Sequence, residues 1–466
     1  MLLNFAILLL LALAAHLGLQ RKMFALPALS EDRRRVVVLV VCLALPASLI
    51  AREAIDAFIF ALQPPRLARS DFPYRVIFDL RAANSNLASN LAIVLSVLQS
   101  LLVGALVYAL SGSRRDLVKS VAIALAFAAM VTISLAATTI KSADLYAYVG
   151  YANLGLAAYQ PPAVPFVREE HAINFFWGTP MAQCVYGPVF VALASAATQH
   201  ATSLGEKLLA LRWLDVCALA VCAAFIARSK RERLAVVAFA LNPAIFEQFV
   251  IDGHNDLIAT AFLLGAVALR TPYLRVILIA LAICVKLPFV LIGAFVFGDE
   301  ENVWRRFCFT AAAILLGVET TAVLAGPSFV GALESAMAHG PTLVKSVVFA
   351  HLANVIAAIA VIFGALVLRR YSPGGALPFA GLGVSPFPWY TIWGVPYAMR
   401  AGFLVPLLVA LPMLTGALSS TYEPTPFRKV LVIIALLGTL GFAFVSFSRS
   451  RAAEMTFETD KRLNPP

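Results

Sequence analysis

Charge is scarce in this chain of 466 residues: 13% are Asp, Glu, Lys or Arg, while 61% are hydrophobic. A soluble domain that apolar would expose large adhesive patches, so lipid is the solvent for most of the sequence. Acids are scarcer than bases, 25 against 36, for a formal net charge of +11. In a soluble protein such a surplus would suggest nucleic acid. Here the Lys and Arg residues fall largely between apolar runs, as membrane-orienting charges do, and nucleic acid is not an expected partner. Cysteine is sparse too. Cys42, Cys184, Cys217, Cys222, Cys284 and Cys308 sit mostly inside apolar segments, with no Cys-x-x-Cys and no Cys/His cluster, which reads as packing thiols and argues against structural zinc. No P-loop or dinucleotide-binding glycine fingerprint is present. Nothing repeats internally, which weakens an inverted-repeat transporter reading.

Long hydrophobic runs, by contrast, recur throughout. They lie near 2–20, 36–52, 91–111, 120–140, 187–203, 208–227, 234–250, 256–270, 274–297, 307–325, 347–368, 379–398, 401–420 and 430–448. The reading is an all-α polytopic membrane protein of about 12 to 14 transmembrane or re-entrant helices. It forms a single domain over 1–450, with a short polar tail at 451–466. The run from Leu2 to Leu19 has no basic region ahead of it, is followed by Arg21 and Lys22, and reads as a retained helix.

Short loops at 21–35 and 112–119 carry Arg21, Lys22, Arg33, Arg34, Arg35, Arg114, Arg115 and Lys119. Dense positive charge in short loops marks the cytoplasmic side, so the two long loops, about 53–90 and 141–186, face outward. The parity is then awkward. Arg228, Lys230, Arg231 and Arg233 also read as cytoplasmic, yet two apolar runs separate them from the outward loop. Either 187–203 or 208–227 is therefore expected to be short, re-entrant or interfacial. Lys286 and Pro288 likewise break 274–297 into what reads as two half-length helices.

Four constellations carry chemistry. Asp144-Leu145-Tyr146-Ala147-Tyr148, with Gly150, Gly155 and Tyr159 after it, places one acid among rings at a membrane edge. Such a carboxylate suits a general base for a sugar hydroxyl; it equally suits a helix cap beside belt tyrosines. Asn242-Pro243 and Glu247 precede Asp252-Gly253-His254-Asn255-Asp256. That cluster can hold a divalent cation, orient a phosphate, or cap the next helix through Asn255 or Asp256. Lys286 in an apolar run either snorkels or meets an anion, and Arg212 poses the same question with Asp215 as its i,i+3 partner. Pro386-Phe387-Pro388-Trp389-Tyr390-Thr391-Ile392-Trp393 offers three large rings for a sugar or lipid wall, or for an interfacial belt.

Taken in order, these stretches resemble the GT-C superfamily of integral-membrane glycosyltransferases, nearest to the bacterial polyprenyl-phosphate-mannose-dependent mannosyltransferases. The residues that carry the resemblance are Asp144-Tyr146-Tyr148-Gly150, Tyr186-Gly187-Pro188, Asn242-Pro243, Gly253-His254-Asn255-Asp256, Lys286-Leu287-Pro288 and Pro388-Trp389-Tyr390-Trp393. One string departs: relatives often read Gly-x-x-Pro-Tyr where this chain has Gly155-Leu156-Ala157-Ala158-Tyr159. The resemblance implies an inverting hexosyltransferase of the bacterial cytoplasmic (inner) membrane with its site on the outer face. Its donor would be a sugar on polyprenyl phosphate and its acceptor an envelope glycolipid or glycan. Asp144 would be the general base, with Tyr146, Tyr148, Tyr186, His254, Asp256, Lys286, Trp389, Tyr390 and Arg212 binding substrate. No cofactor and no metal are expected. A flippase or a polymerase/ligase for lipid-linked sugars is the alternative, and the loop at 326–346 offers the latter only His339 and Lys345.

Overall fold

The computed structural model describes residues 29–63, 72–77, 86–111, 116–160, 171–177, 182–228, 233–293, 296–329, 331–333, 388–401 and 404–420. The runs read at 2–20, 347–368 and 430–448, the tail at 451–466, His339, Lys345 and the part of 379–398 before Pro388 lie outside the described residues.

The first helix, α1 (Glu31–Ala61), begins where Ser30 accepts a hydrogen bond from the Arg33 backbone, with Glu31 and Asp32 against the positive end of the dipole. Two more long helices follow, α2 (Asn86–Leu110) and α3 (Leu117–Ala136), the latter capped by Asp116. Next come α4 (Asp144–Leu154), α5 (His171–Trp177), α6 (Pro188–Thr198) and α7 (Leu204–Arg228). Helix α8 (Arg233–Ala240) breaks at Asn242-Pro243. Asn242 caps α9 (Pro243–Ile245), which runs on as a π-helical turn over Phe246–Ile251. Then follow α10 (Asp256–Ala268), α11 (Pro272–Val285), α12 (Val290–Gly293), α13 (Val303–Ala325), α14 (Gly394–Ala401) and α15 (Leu404–Ser420). The only sheet among the described residues is a two-residue parallel pair, β1 (Arg75–Val76) on β2 (Thr139–Ile140).

The protein is thus an all-α polytopic membrane protein. Four described helices, α1, α3, α7 and α13, are long and apolar enough to cross a membrane. A fifth crossing results if α8 and the 243–251 segment, bent by 44°, count as one span. Large apolar side chains such as Leu43, Leu125 and Val323 are exposed on these helices, which lipid tolerates and water does not.

The parity question is resolved by length. Helix α6 has 11 residues, about 16 Å at 1.5 Å per residue, too short for a hydrocarbon core of about 30 Å. Only α7 crosses, so the end of α3 and the start of α7 share one side. Arg212, two turns into α7, donates to Ser134, Leu135 and Ala137 at the end of α3. The opposite side gathers the ends that sequence read as basic. Lys119 pairs with Glu31 and Arg34 reaches the Ala109 carbonyl, which places the start of α1, the end of α2 and the start of α3 together.

Lys286 does break the run 274–297, but only the first part is a half-length helix, α11; a short 3-10 turn, Leu287–Phe289, and the four-residue α12 follow it. Helices α10 and α11 are 13 and 14 residues long, and the chain turns back after Lys286 so that Val296 and Asp299 meet Arg275 in the first turn of α11. Half-length helices turning mid-protein leave backbone groups that must be met inside the fold. That is where the polar residues collect.

Candidate functional site

Asp144 is the first residue of α4, where an acid complements the helix dipole, and its backbone N–H is taken by the Ser142 hydroxyl at 3.1 Å. Its carboxylate remains partly open, with 20% of the side chain exposed. His254 Nδ1 lies 3.2 Å from Asp144 Oδ2, and the imidazole is stacked on the Trp389 indole, centroids 3.7 Å apart and planes 19° off parallel. Neither ring nitrogen of His254 makes a hydrogen bond of normal geometry among the described residues. Burial raises the Asp144 pKa, but the His254 contact and the charge of Lys286 outweigh it, and the carboxyl is held below the ordinary Asp value. The group is therefore ionised at neutral pH.

A second pair stands beside the first. The Lys286 ammonium donates to both oxygens of Asp256, at 3.0 and 2.9 Å, and the Trp393 indole N–H donates to Oδ1 of the same carboxylate at 2.7 Å. The ammonium also sits 4.9 Å from the centroid of Tyr390 and 5.9 Å from that of Tyr186. Tyr390 in turn stacks on Trp393 at 4.3 Å. Lys286 reaches this position because its backbone is extended where α11 ends. The lysine thus meets an anion in the protein's interior instead of snorkelling.

Two glycines let these segments approach. Gly253, with φ near +70°, turns the chain out of the π-helical segment; a methyl group there would sit 2.3 Å from Leu145 Cδ2. Gly187 donates its N–H to Val285 at 2.9 Å, and a methyl on it would lie 2.1 Å from the Cys284 carbonyl oxygen. The Gly-His-Asn-Asp and Tyr-Gly-Pro strings are therefore docking surfaces for α4 and for the Lys286 break.

The structure separates the sequence-selected residues into two groups. Asp144, Tyr148, Tyr186, His254, Asp256, Lys286, Trp389 and Tyr390 converge. Tyr148 packs edge-on against Tyr186 and Phe190, at 5.0 and 4.6 Å, with its hydroxyl buried and unpartnered among the described residues. Tyr146 and Arg212 stand apart. The Tyr146 hydroxyl donates to the Tyr74 carbonyl and accepts from the Tyr74 N–H, both at 3.0 Å, so it fastens the 72–77 segment. Arg212 is fully buried; among the described residues every hydrogen bond it donates goes to a carbonyl, those of Ser134, Leu135, Ala137 and Ile251, and Tyr74 covers its guanidinium face at 3.9 Å. Among the described residues it makes no ion pair with Asp215.

Asp252, His254 and Asp256 do not point at one centre. Asp252 accepts the Lys141 N–H at 2.8 Å, His254 faces Asp144, and Asp256 faces Lys286 and Trp393. No three His, Cys, Asp or Glu side chains among the described residues are placed to hold a metal ion. Asn255 occupies the cap position of α10 without a side-chain cap bond, and both its amide atoms are buried and unpartnered among the described residues. Trp393 and Asn255 stood inside the motifs read from the sequence but were not among the residues expected to bind substrate. A polar residue in a cap position that leaves the cap unmade has no sequence signature.

Residues 70–298 match a protein family described as alpha-(1->6)-mannopyranosyltransferase, N-terminal domain. Searches of curated proteins and of solved structures give no match. The matched segment holds every converging residue except Trp389 and Tyr390, and it bears out the resemblance to GT-C mannosyltransferases drawn from the motifs. It supports a mannosyl-transfer function, that of a glycosyltransferase with a sugar donor and an acceptor.

Proposed function

We propose that this mannosyltransferase-like membrane protein moves a mannosyl residue from a polyprenyl-phosphate donor to a glycolipid or glycan acceptor. The reaction takes place at the outer face of the bacterial cytoplasmic membrane. The observation that carries the reading is the ionised, partly open Asp144 carboxylate beside the buried His254 and the Trp389 wall. In the proposed step Asp144 takes the proton of the acceptor hydroxyl while that oxygen bonds the anomeric carbon from the face opposite the phosphate. The bond from that carbon to the phosphate oxygen breaks with its electron pair, and polyprenyl phosphate leaves. Inversion turns a β-linked mannosyl donor into an α product, in keeping with the alpha-(1->6) linkage in the matched family's description.

A phosphate monoester leaves well if its growing charge is met. Asp256 takes two of the three Lys286 N–H donors, leaving one, and while His254 Nδ1 faces Asp144, its Nε2 has no partner among the described residues. These are the donors assigned here to the departing phosphate. Tyr148, Tyr186, Trp389 and Tyr390 offer ring faces to the sugar, and the Asn255 carboxamide offers a donor and an acceptor. No cofactor enters, since the activated donor is itself the substrate.

The test is transfer in membranes supplied with a panel of polyprenyl-phosphate hexoses and pentoses. Transfer should be detected with the mannosyl donor. Asp144→Asn, which keeps size and hydrogen bonding, should slow it by about 100-fold or more at normal expression. Turnover near wild type in that variant would remove Asp144 as the base.

A further inference from the structure

One turn of α1 holds the segment that carries Asp144. Glu53 Oε1 accepts from the backbone N–H groups of Thr138 and Thr139, both at 3.0 Å, and lies 3.3 Å from the Thr138 hydroxyl. Three residues on, Asp56 Oδ2 lies 3.0 Å from the Lys141 ammonium and 3.3 Å from Arg52 Nε. Glu247, in the π-helical turn, faces both cations, at 3.7 Å from Arg52 and 3.9 Å from Lys141. Its other oxygen accepts from Gln99 of α2 at 2.8 Å. Asp252 closes the ring by accepting the Lys141 backbone N–H. Arg52, Asp56, Gln99, Glu247 and Asp252 are each no more than 4% exposed.

Stability does not account for such a set. Charges removed from water are often replaceable by apolar side chains without loss, whereas breaking a single pair is damaging. What a buried ion set does supply is one geometry, because its members are satisfied only in one arrangement. Here the held object is 138–141, which lies three residues before Asp144 and includes β2. Arg52, Glu53 and Asp56 lie outside the family-matched segment of 70–298. The α1 half of the fixation therefore comes from a part of the chain that contributes no group to the site itself, while Gln99, Glu247 and Asp252 belong to the matched segment.

We propose that Lys141 is a positioning residue for Asp144, fixed by a clasp of Glu53, Asp56 and Glu247, so that α1 sets the place of the general base. The clasp rests on the assignment of Asp144 given above for its effect on rate, but not for its effect on structure. A misplacement of about 1 Å at a reacting group can slow a reaction by about 100-fold while leaving binding intact.

The experiment compares wild type with Asp56→Leu/Lys141→Met, Glu53→Ala and Glu53→Gln, all full length in detergent micelles. Two readouts are taken: kcat and KM for the mannosyl donor, and amide hydrogen exchange of the peptide spanning 137–154 against one from α10. Expected are a kcat lowered about 10- to 100-fold with KM within about 2-fold for the Leu/Met pair, and a smaller fall for Glu53→Ala that Glu53→Gln restores. Exchange in 137–154 should rise while α10 stays protected. Because the Leu/Met pair removes both partners of one ion pair, its Tm should stay within a few degrees of wild type. Should that pair fail to fold, Glu53, only partly buried, still provides the comparison. Unchanged exchange at 137–154 in Glu53→Ala, or a folded Leu/Met variant with wild-type kcat, overturns the clasp. If no donor is turned over by wild type, the proposed transfer falls, and the exchange readout alone decides the clasp.

Discussion

Asp144, Tyr146 and Tyr148 show at residue scale what a motif leaves open. Read as a string, Asp-x-Tyr-x-Tyr presents two equivalent tyrosines. Once the string is helical, residues four apart share a face and residues two apart lie about 200° from one another. Tyr148 therefore stands with Asp144 at the site, while Tyr146 turns to Tyr74. The charge pattern around Asp144 has a pH consequence. Its pKa is depressed below the ordinary Asp value against the effect of burial, by the His254 contact and the Lys286 charge. A base works in its ionised form, so wild-type turnover is retained as pH falls to the ordinary carboxylate range and is lost only below it. His254→Gln removes the leading stabilising partner, so the Asp144 pKa should rise and the acid limb of kcat/KM should move to higher pH. A pH-rate profile of the two proteins measures this. An acid limb unmoved or displaced to lower pH would break the coupling between the two side chains.

At the scale of elements, Arg212 exchanges one expected role for another. The isolated arginine in an apolar run suggested a substrate anion. In the fold it closes the end of α3 and the end of the π-helical turn by donating to four carbonyls. A helix end inside a membrane protein must have its orphan carbonyls met by the protein. Arg212→Met keeps the bulk and removes the donors, so it should destabilise the fold by roughly 3 kcal/mol or more. The measurement is thermal unfolding in micelles, with Asp144→Asn, expected to melt near wild type, as the comparison. A melt of Arg212→Met equal to wild type, with a raised KM for the lipid-linked donor, would return Arg212 to the substrate. The break after α8 works by a similar logic. Asn242 caps α9, the π-helical turn follows, and Gly253 reverses the chain so that Asp252, His254 and Asp256 serve three different partners.

For the whole molecule, the short α6 and the paired half-length helices α10 and α11 explain why a protein with many apolar runs carries its site at one end. Asp144, His254 and Lys286 lie where α3 ends, α10 begins and α11 ends. The starts of α1 and α3 and the end of α2 gather at the other end, with the basic loop of 112–119 between α2 and α3. Positive charge is retained on the cytoplasmic side. With native cysteines removed, Gln199→Cys, after α6, should therefore react with an impermeant thiol reagent in intact cells. Ser111→Cys, after α2, should react only once the membrane is opened. The reverse pattern would put the site on the cytoplasmic face and exclude a donor presented outside.

Although the last turns of α1 and all of α4 and α5 fall in the segments 53–90 and 141–186 that read as loops, and the bend at Asn242-Pro243 falls inside the run 234–250, the sequence by itself determined the solvent, the helical class, the positions of the long apolar helices among the described residues and the break at Lys286. Those follow from local quantities: hydropathy over about 20 residues, proline and glycine, and the expense of a charge in hydrocarbon. Tertiary structure alone decided which partner each charge takes. Asp256 rather than a ligand meets Lys286, carbonyls meet Arg212, and α1 holds the segment before Asp144. The reason is that pairing depends on distances across the fold, between residues such as Glu53 and Thr139 or Asp256 and Trp393. Hydropathy and motif spacing describe neighbours along the chain and contain no record of those distances.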